Sequence, residues 1–272
     1  MHPETSLSLN NLGVAYSAHG DLNLAIVVYE KSLAIHVQIV WRFASRDSFH
    51  LDQFGAACMK KGHYGMAVEY CKRALAIDKK CLGDQHSHTA RDFNGLGVVY
   101  THMGDCDQAI ACFSEALAID HMVLGEQSLD TSIDFTNLAA VWHEKGNHEK
   151  TIEWCEKALP IQLGALDEQH SCTAKTRRIL GAALGDKGEH CRALELLQMS
   201  LVTCGEVCGE QHAHTATSLH ELGLAYEKKD DRIEALEHLQ QALDIRTKVL
   251  GDAHPHTQKT RRAIEEVKQK AQ

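Results

Sequence analysis

The residues with most chemical potential are histidine and cysteine, 19 and 10 of the 272. His86-x-His88, His212-x-His214 and His254-x-His256 have the look of ligand pairs for a borderline metal such as zinc. Yet His2, His86, His170, His212 and His254 recur at one position of a 42-residue period. With one per repeat, neighbouring linkers would have to converge before four ligands could surround an ion. A role in the linker structure is therefore expected, and neither a metal site nor a cofactor is. Cys58, Cys71 and Cys155 fall at apolar positions and read as small hydrophobes. Cys204 and Cys208, at i and i+4, could face each other on a helix. With no secretory signal, a disulfide framework is not expected. No Walker loop, nucleophile elbow or His-Glu-x-x-His stands in the chain, so no catalytic residue is expected and the protein reads as a non-enzyme.

The repeat itself is the stronger signal. Gly13, Gly55, Gly97, Ala139, Gly181 and Gly223 share one position, and Gly20, Gly62, Gly104, Gly146, Gly188 and Asp230 share another. Six copies in register make an internal repeat, in which each unit buries its face on its neighbours. Within a copy, Leu96 and Tyr100 flank Gly97 at the spacing of a packed helical face. A second helix follows with Ala109, Phe113, Leu117 and Ile119. Glycine inside a helix is unfavourable by up to ~1 kcal/mol, so its recurrence calls for a close helix–helix approach. Thr5, Thr89, Thr131, Thr173, Thr215 and Thr257 recur where a helix begins and read as N-caps, as does Asp47 in the second copy. Asp92 and Asp134 would complete acidic capping boxes. Pro160 should kink or end its helix. Between the first two copies, Trp41 to Phe43 replace the usual linker. They read either as aromatics packed on a longer helix or as a contact patch.

Composition sets limits. The net charge of −9 argues against a nucleic-acid partner. No apolar run approaches the ~18 residues of a membrane span, so no membrane partner is expected. Without a signal peptide, a cytoplasmic location is the expectation. The chain begins almost on its first repeat, which suggests a piece of a longer protein or a bare scaffold.

Leu-Gly-x-x-Tyr followed by Ala-x-x-x-Phe resembles the tetratricopeptide signature. Leu250-Gly251-Asp252-Ala253-His254-Pro255-His256-Thr257 is similar to the linker of the 42-residue, kinesin light chain-like subclass. The coiled coil by which true light chains bind kinesin is absent. The resemblance implies an all-α, right-handed helix-turn-helix solenoid. A single array over 1–272 is expected, with repeats near 5–46, 47–88, 89–130, 131–172, 173–214 and 215–256. A more polar segment, 257–272, would cap it.

It also implies a groove lined by the first helix of each repeat. Counted from the repeat glycine, positions −6, −3, +1 and +4 share a helical face. That face carries Asn10, Phe49 and Met59 early, then Arg91, Asn94, Ile133, Thr136 and His143, with Asn137 beside them. Lys175, Arg178, His220, Lys259 and Arg262 follow. Such a face suits an extended acidic peptide bearing an aromatic residue, the cargo the resemblance implies. Ordinary solvated helix surface can carry the same charges. The Lys/Asn set of chaperone-tail clamps is not found. The function expected is a non-catalytic protein-interaction scaffold of cargo-adaptor type. The alternatives are a ligand-sensing array from a larger signalling protein, and a metal-binding or enzyme-associated module.

Overall fold

The computed structural model describes residues 3–18, 63–166 and 168–270, together with residues 21, 24, 25, 27–29, 31, 32, 55, 58 and 59. Among these residues the chain is helix joined by tight turns. The helices with complete bounds are α1 (Pro3–Ala18), α2 (Tyr64–Leu82), α3 (Ser87–Met103), α4 (Cys106–Leu124), α5 (Leu129–Glu144) and α6 (His148–Ala165). They continue with α7 (Ser171–Asp186), α8 (His190–Cys208), α9 (Ala213–Lys228), α10 (Arg232–Leu250) and α11 (Pro255–Gln269). Contacts divide the chain into two units, Met1–Asp134 and Phe135–Gln272. In the first, α2 packs on α3 and α3 on α4; in the second, helices from α6 to α11 pack each on the next. First helices also touch directly there, α7 with α9 and α9 with α11.

The repeat glycine is the contact point within each helix pair. A Cβ on Gly97 would stand 2.6 Å from Cε1 of the buried Phe113 ring. At Gly223 it would stand 2.7 Å from Leu239 Cγ and 3.1 Å from the Ala235 carbonyl oxygen. No side-chain carbon fits at such distances, so the absence of a Cβ sets the spacing of the pair. Cys58, Cys71 and Cys155 are buried in these cores, and burial pushes the Cys155 thiol up to about 12.

Helix starts depart from the sequence reading. The N-caps of α3, α7, α9 and α11 are His86, His170, His212 and His254. Each accepts, through Nδ1, the backbone N–H two residues on, at 3.1–3.2 Å. The threonines stand inside the helices. Thr89, Thr131 and Thr215 donate to the carbonyls of Gly83, Gly125 and Gly209 at 2.8–2.9 Å and so tie the helix to its linker. Pro160 does not end α6, which runs on to Ala165. Pro160 is exposed, while Ile161 and Gln162 beyond it are buried and hold the next turn in place.

Successive repeats meet at a buried polar seam. One row, on the second helices, is Asp78, Asp120, Gln162, Cys204 and Arg246. The facing row, 14 residues on, is Asp92, Asp134, Thr176, Ser218 and Thr260. Gln162 donates to Thr136 at 3.0 Å and accepts from Thr176 at 2.8 Å. Ser218 donates to Cys204 Sγ at 3.7 Å, and Arg246 donates to Thr260. Asp92 and Asp134 are therefore seam residues rather than members of capping boxes; Asp134 accepts from Asn94 and is bonded to Asp120. Burial, with the Asp130 charge, pushes Asp120 up to about 6. Burial and the neighbouring Asp120 push Asp134 up to about 8, against the Asn94 bond.

Two outcomes follow from this packing. Gly97→Leu should lower stability by ~1–3 kcal/mol, whereas Lys80→Leu on the exposed face of α2 should do little. Equal melting shifts would misplace the contact. Unfolded aspartates ionise near pH ~4, so the folded Asp120–Asp134 pair retains protons to higher pH, and stability falls progressively as pH rises from ~4 until the folded values of about 6 and about 8 are passed. Asp134→Asn should melt above wild type at pH ~8, with the difference shrinking toward pH ~5. A variant that melts lower at the alkaline end would contradict this.

Candidate functional site

In the unit Met1–Asp134 the expected face is sparse. Arg91 is exposed, with its guanidinium 4.0 Å from Asp92 Oδ1. Asn94 is half-buried and bound to Asp134; Met59 and Ile133 are half-buried. Phe49, Asp47 and the Trp41–Phe43 stretch lie outside the described residues, as does the Asn10 side chain.

In the unit Phe135–Gln272 the face is dense and basic. Lys175, near the start of α7, donates to Asn137 on α5 at 3.0 Å. The residue keeps an exposed surface while its ammonium is held in that bond. Burial, assisted by the Arg178 charge, brings it down to about 8. Arg178, one turn further along α7, also acts electrostatically on His214, Glu221 and Arg246. Glu221 is the internal counter-charge. Burial opposes its ionisation, but His220, Arg178, Lys259 and His143 together hold its carboxyl below the usual range. The sequence reading passed over Glu221. It stands two repeats on from Asn137, which was included, so the periodicity could have found it.

Beside this cluster, α9 and α11 enclose a cleft of about 500 Å³. Leu224, Pro255 and Ala263 supply apolar walls, and Lys259 and Arg262 the positive rim, with Glu266 the one acid. His220 lines the same cleft. Its ring is 1% exposed, and neither ring nitrogen has a hydrogen-bond partner. Burial first, then the Arg246 and Lys259 charges against that of Glu221, keep it neutral, with a pKa lowered to about 4. A buried, unsatisfied imidazole at the wall of a cleft is uncommon, because buried polar groups are otherwise paired.

Not every expected residue belongs to this face. Thr136 is 3% exposed and spent on the seam with Thr176 and Gln162. Those two bonds turn its hydroxyl toward the neighbouring helices rather than the solvent. His143, in the last turn of α5, is half-buried beside His148 and Asp186. Burial lowers its pKa despite the nearby Glu221 and Asp186 carboxylates.

Family models described as tetratricopeptide repeat match residues 48–121 and 131–201, and residues 5–40 and 215–256. The chain belongs to the tetratricopeptide-repeat family. Among solved structures, a protein described as a Podosopora anserina kinesin light chain with nearly identical TPR-like repeats is similar. It is 23% identical, with TM-score 0.60, over 77% of this chain and 98% of that one. BtubC (BKLC) from P. vanneervenii is 20% identical with TM-score 0.68, over 86% and 94%. The Cut9–Hcn1 hetero-tetramer of APC/C gives TM-score 0.70 at 16% identity, over 98% and 43%. These likenesses are of fold. No curated protein matches. Among the described residues, no helix is long and apolar enough to cross a membrane.

Proposed function

We propose that this protein is a non-catalytic interaction scaffold whose first-helix face, from α7 through α9 to α11, receives an extended acidic peptide. The observation that carries this reading is His220, a buried imidazole without partners at the wall of a cleft with a basic rim. An apolar or aromatic peptide side chain would enter between Leu224 and Ala263, displacing water from apolar walls. Its polar edge, or the adjacent backbone, would satisfy His220. Flanking carboxylates would meet Arg178, Lys175, Lys259 and Arg262 through charge-assisted bonds. Asn137, already bound to Lys175, would fix that ammonium in place. The repeat fold supports protein recognition as the general role, and one structural neighbour is itself part of a hetero-tetramer. Recognition of cargo in the manner of an adaptor is the specific form proposed here.

Glu221 gives the reading a sharp test, because it competes for the same cations as a peptide carboxylate. A labelled acidic, tryptophan-containing peptide should lose ~1–3 kcal/mol of binding to Arg178→Glu. Glu221→Gln should bind it more tightly than wild type. Salt should weaken binding, since the screening length is about 8 Å at physiological ionic strength. Affinity unchanged in both variants and indifferent to salt would overturn the proposal.

A further inference from the structure

The α5–α6 turn and the end of α7 bring together three side chains that the repeat pattern does not connect. His143 stands in the last turn of α5, His148 opens α6, and Asp186 closes α7. One donor atom from each lies within 4.8 Å of the other two. We propose that His143, His148 and Asp186 bind a divalent transition-metal ion of borderline softness, Zn²⁺ being the type, which fastens the fourth repeat to the fifth.

The distances suit such an ion. Asp186 Oδ2 is 3.3 Å from His148 Nδ1 and 3.8 Å from His143 Nδ1. An ion bonded at ~2.0–2.2 Å to each ligand holds its donors roughly 3–3.5 Å apart, so the three atoms need move little. Neither Nδ1 atom has a hydrogen-bond partner, and both lie beneath the surface. Both ring nitrogens thus face the Asp186 carboxylate without a hydrogen bond to it, and in the neutral Nε2–H tautomer each would offer a lone pair to an ion.

The surroundings hold the carboxylate in place. Lys228, from the sixth repeat, donates to the other Asp186 oxygen, Oδ1, leaving Oδ2 toward the imidazoles. Outer contacts of this kind orient metal-ligating carboxylates. The turn between the histidines is fixed by backbone bonds from Gly146 to His143 and from Asn147 to Trp142, at 2.8 and 2.9 Å. His143 and Asp186 both stand at helix C-termini, where the carbonyl ends carry partial negative charge. Asp186 borders a cleft of about 520 Å³ and His148 another of about 460 Å³, which provide an entry path and room for water ligands. Two nitrogens and one oxygen favour Zn²⁺, Co²⁺ or Ni²⁺ over Mg²⁺ or Ca²⁺.

The test is titration of the full chain with Co²⁺, whose absorption distinguishes nitrogen and oxygen ligands from thiolates. This matters because the chain carries ten free cysteines. One equivalent should bind with weak visible bands and without an intense near-ultraviolet thiolate band. His148→Ala and Asp186→Asn should each weaken binding by at least about tenfold, while His121→Ala on the exposed face of α4 should not. Circular dichroism of each variant checks its fold. On wild type, sub-stoichiometric Zn²⁺ should move the Nδ1 resonances of two histidines, and Zn²⁺ should raise the melting temperature. Binding that persists unchanged in both variants, binding carried by a thiolate band, or no binding by wild type would overturn the proposal.

Discussion

The fold depends on how closely two helices of a repeat can approach. At Gly13, Gly97, Gly181 and Gly223 an added Cβ would come within 2.5–2.8 Å of a facing Tyr, Phe or Leu side chain. That contact sets the depth at which the second helix sits, and with it the direction of the first helix's outer face. The proposed peptide site is carried on that outer face.

Between repeats a different constraint operates. Asp120–Asp134, Gln162–Thr176, Cys204–Ser218 and Arg246–Thr260 occupy one structural position with different chemistries. Buried polar groups must be satisfied by their neighbours, so each pair suits its own seam better than another. Such variation favours one order of repeats over slipped alternatives that apolar packing alone would tolerate. The Arg246 end of the row also bears on the proposed peptide site, since its charge acts on His220 while Arg178 acts on Arg246.

The helix pairs, the period and the packed face were legible because they recur: Gly97 opposite Phe113 follows from spacing alone. The same recurrence puts Lys175 and Arg178 at the repeat positions of Lys259 and Arg262. What recurrence could not convey was which of two adjacent polar residues performs a task. Threonine is the better-known cap, yet the linker histidine reaches the amide first, through Nδ1, while the threonine turns back to a glycine carbonyl. Thr136 and His220 share the period of the expected face, but their neighbours bury them. The His143, His148 and Asp186 cluster was invisible because its members occupy unrelated repeat positions. Only the stacking of α5, α6 and α7 brings them together.

The central claim is that the first helices of the later repeats, and not the second helices, receive the partner. It is tested most directly by photo-crosslinking from an acidic peptide that carries a photoreactive group in place of its aromatic residue, with the attachment sites mapped by mass spectrometry. The account predicts crosslinks on α9 and α11 around His220, Leu224 and Ala263 that are suppressed by excess unlabelled peptide. Crosslinks confined to α8 and α10, or spread without competition over the whole chain, would contradict it.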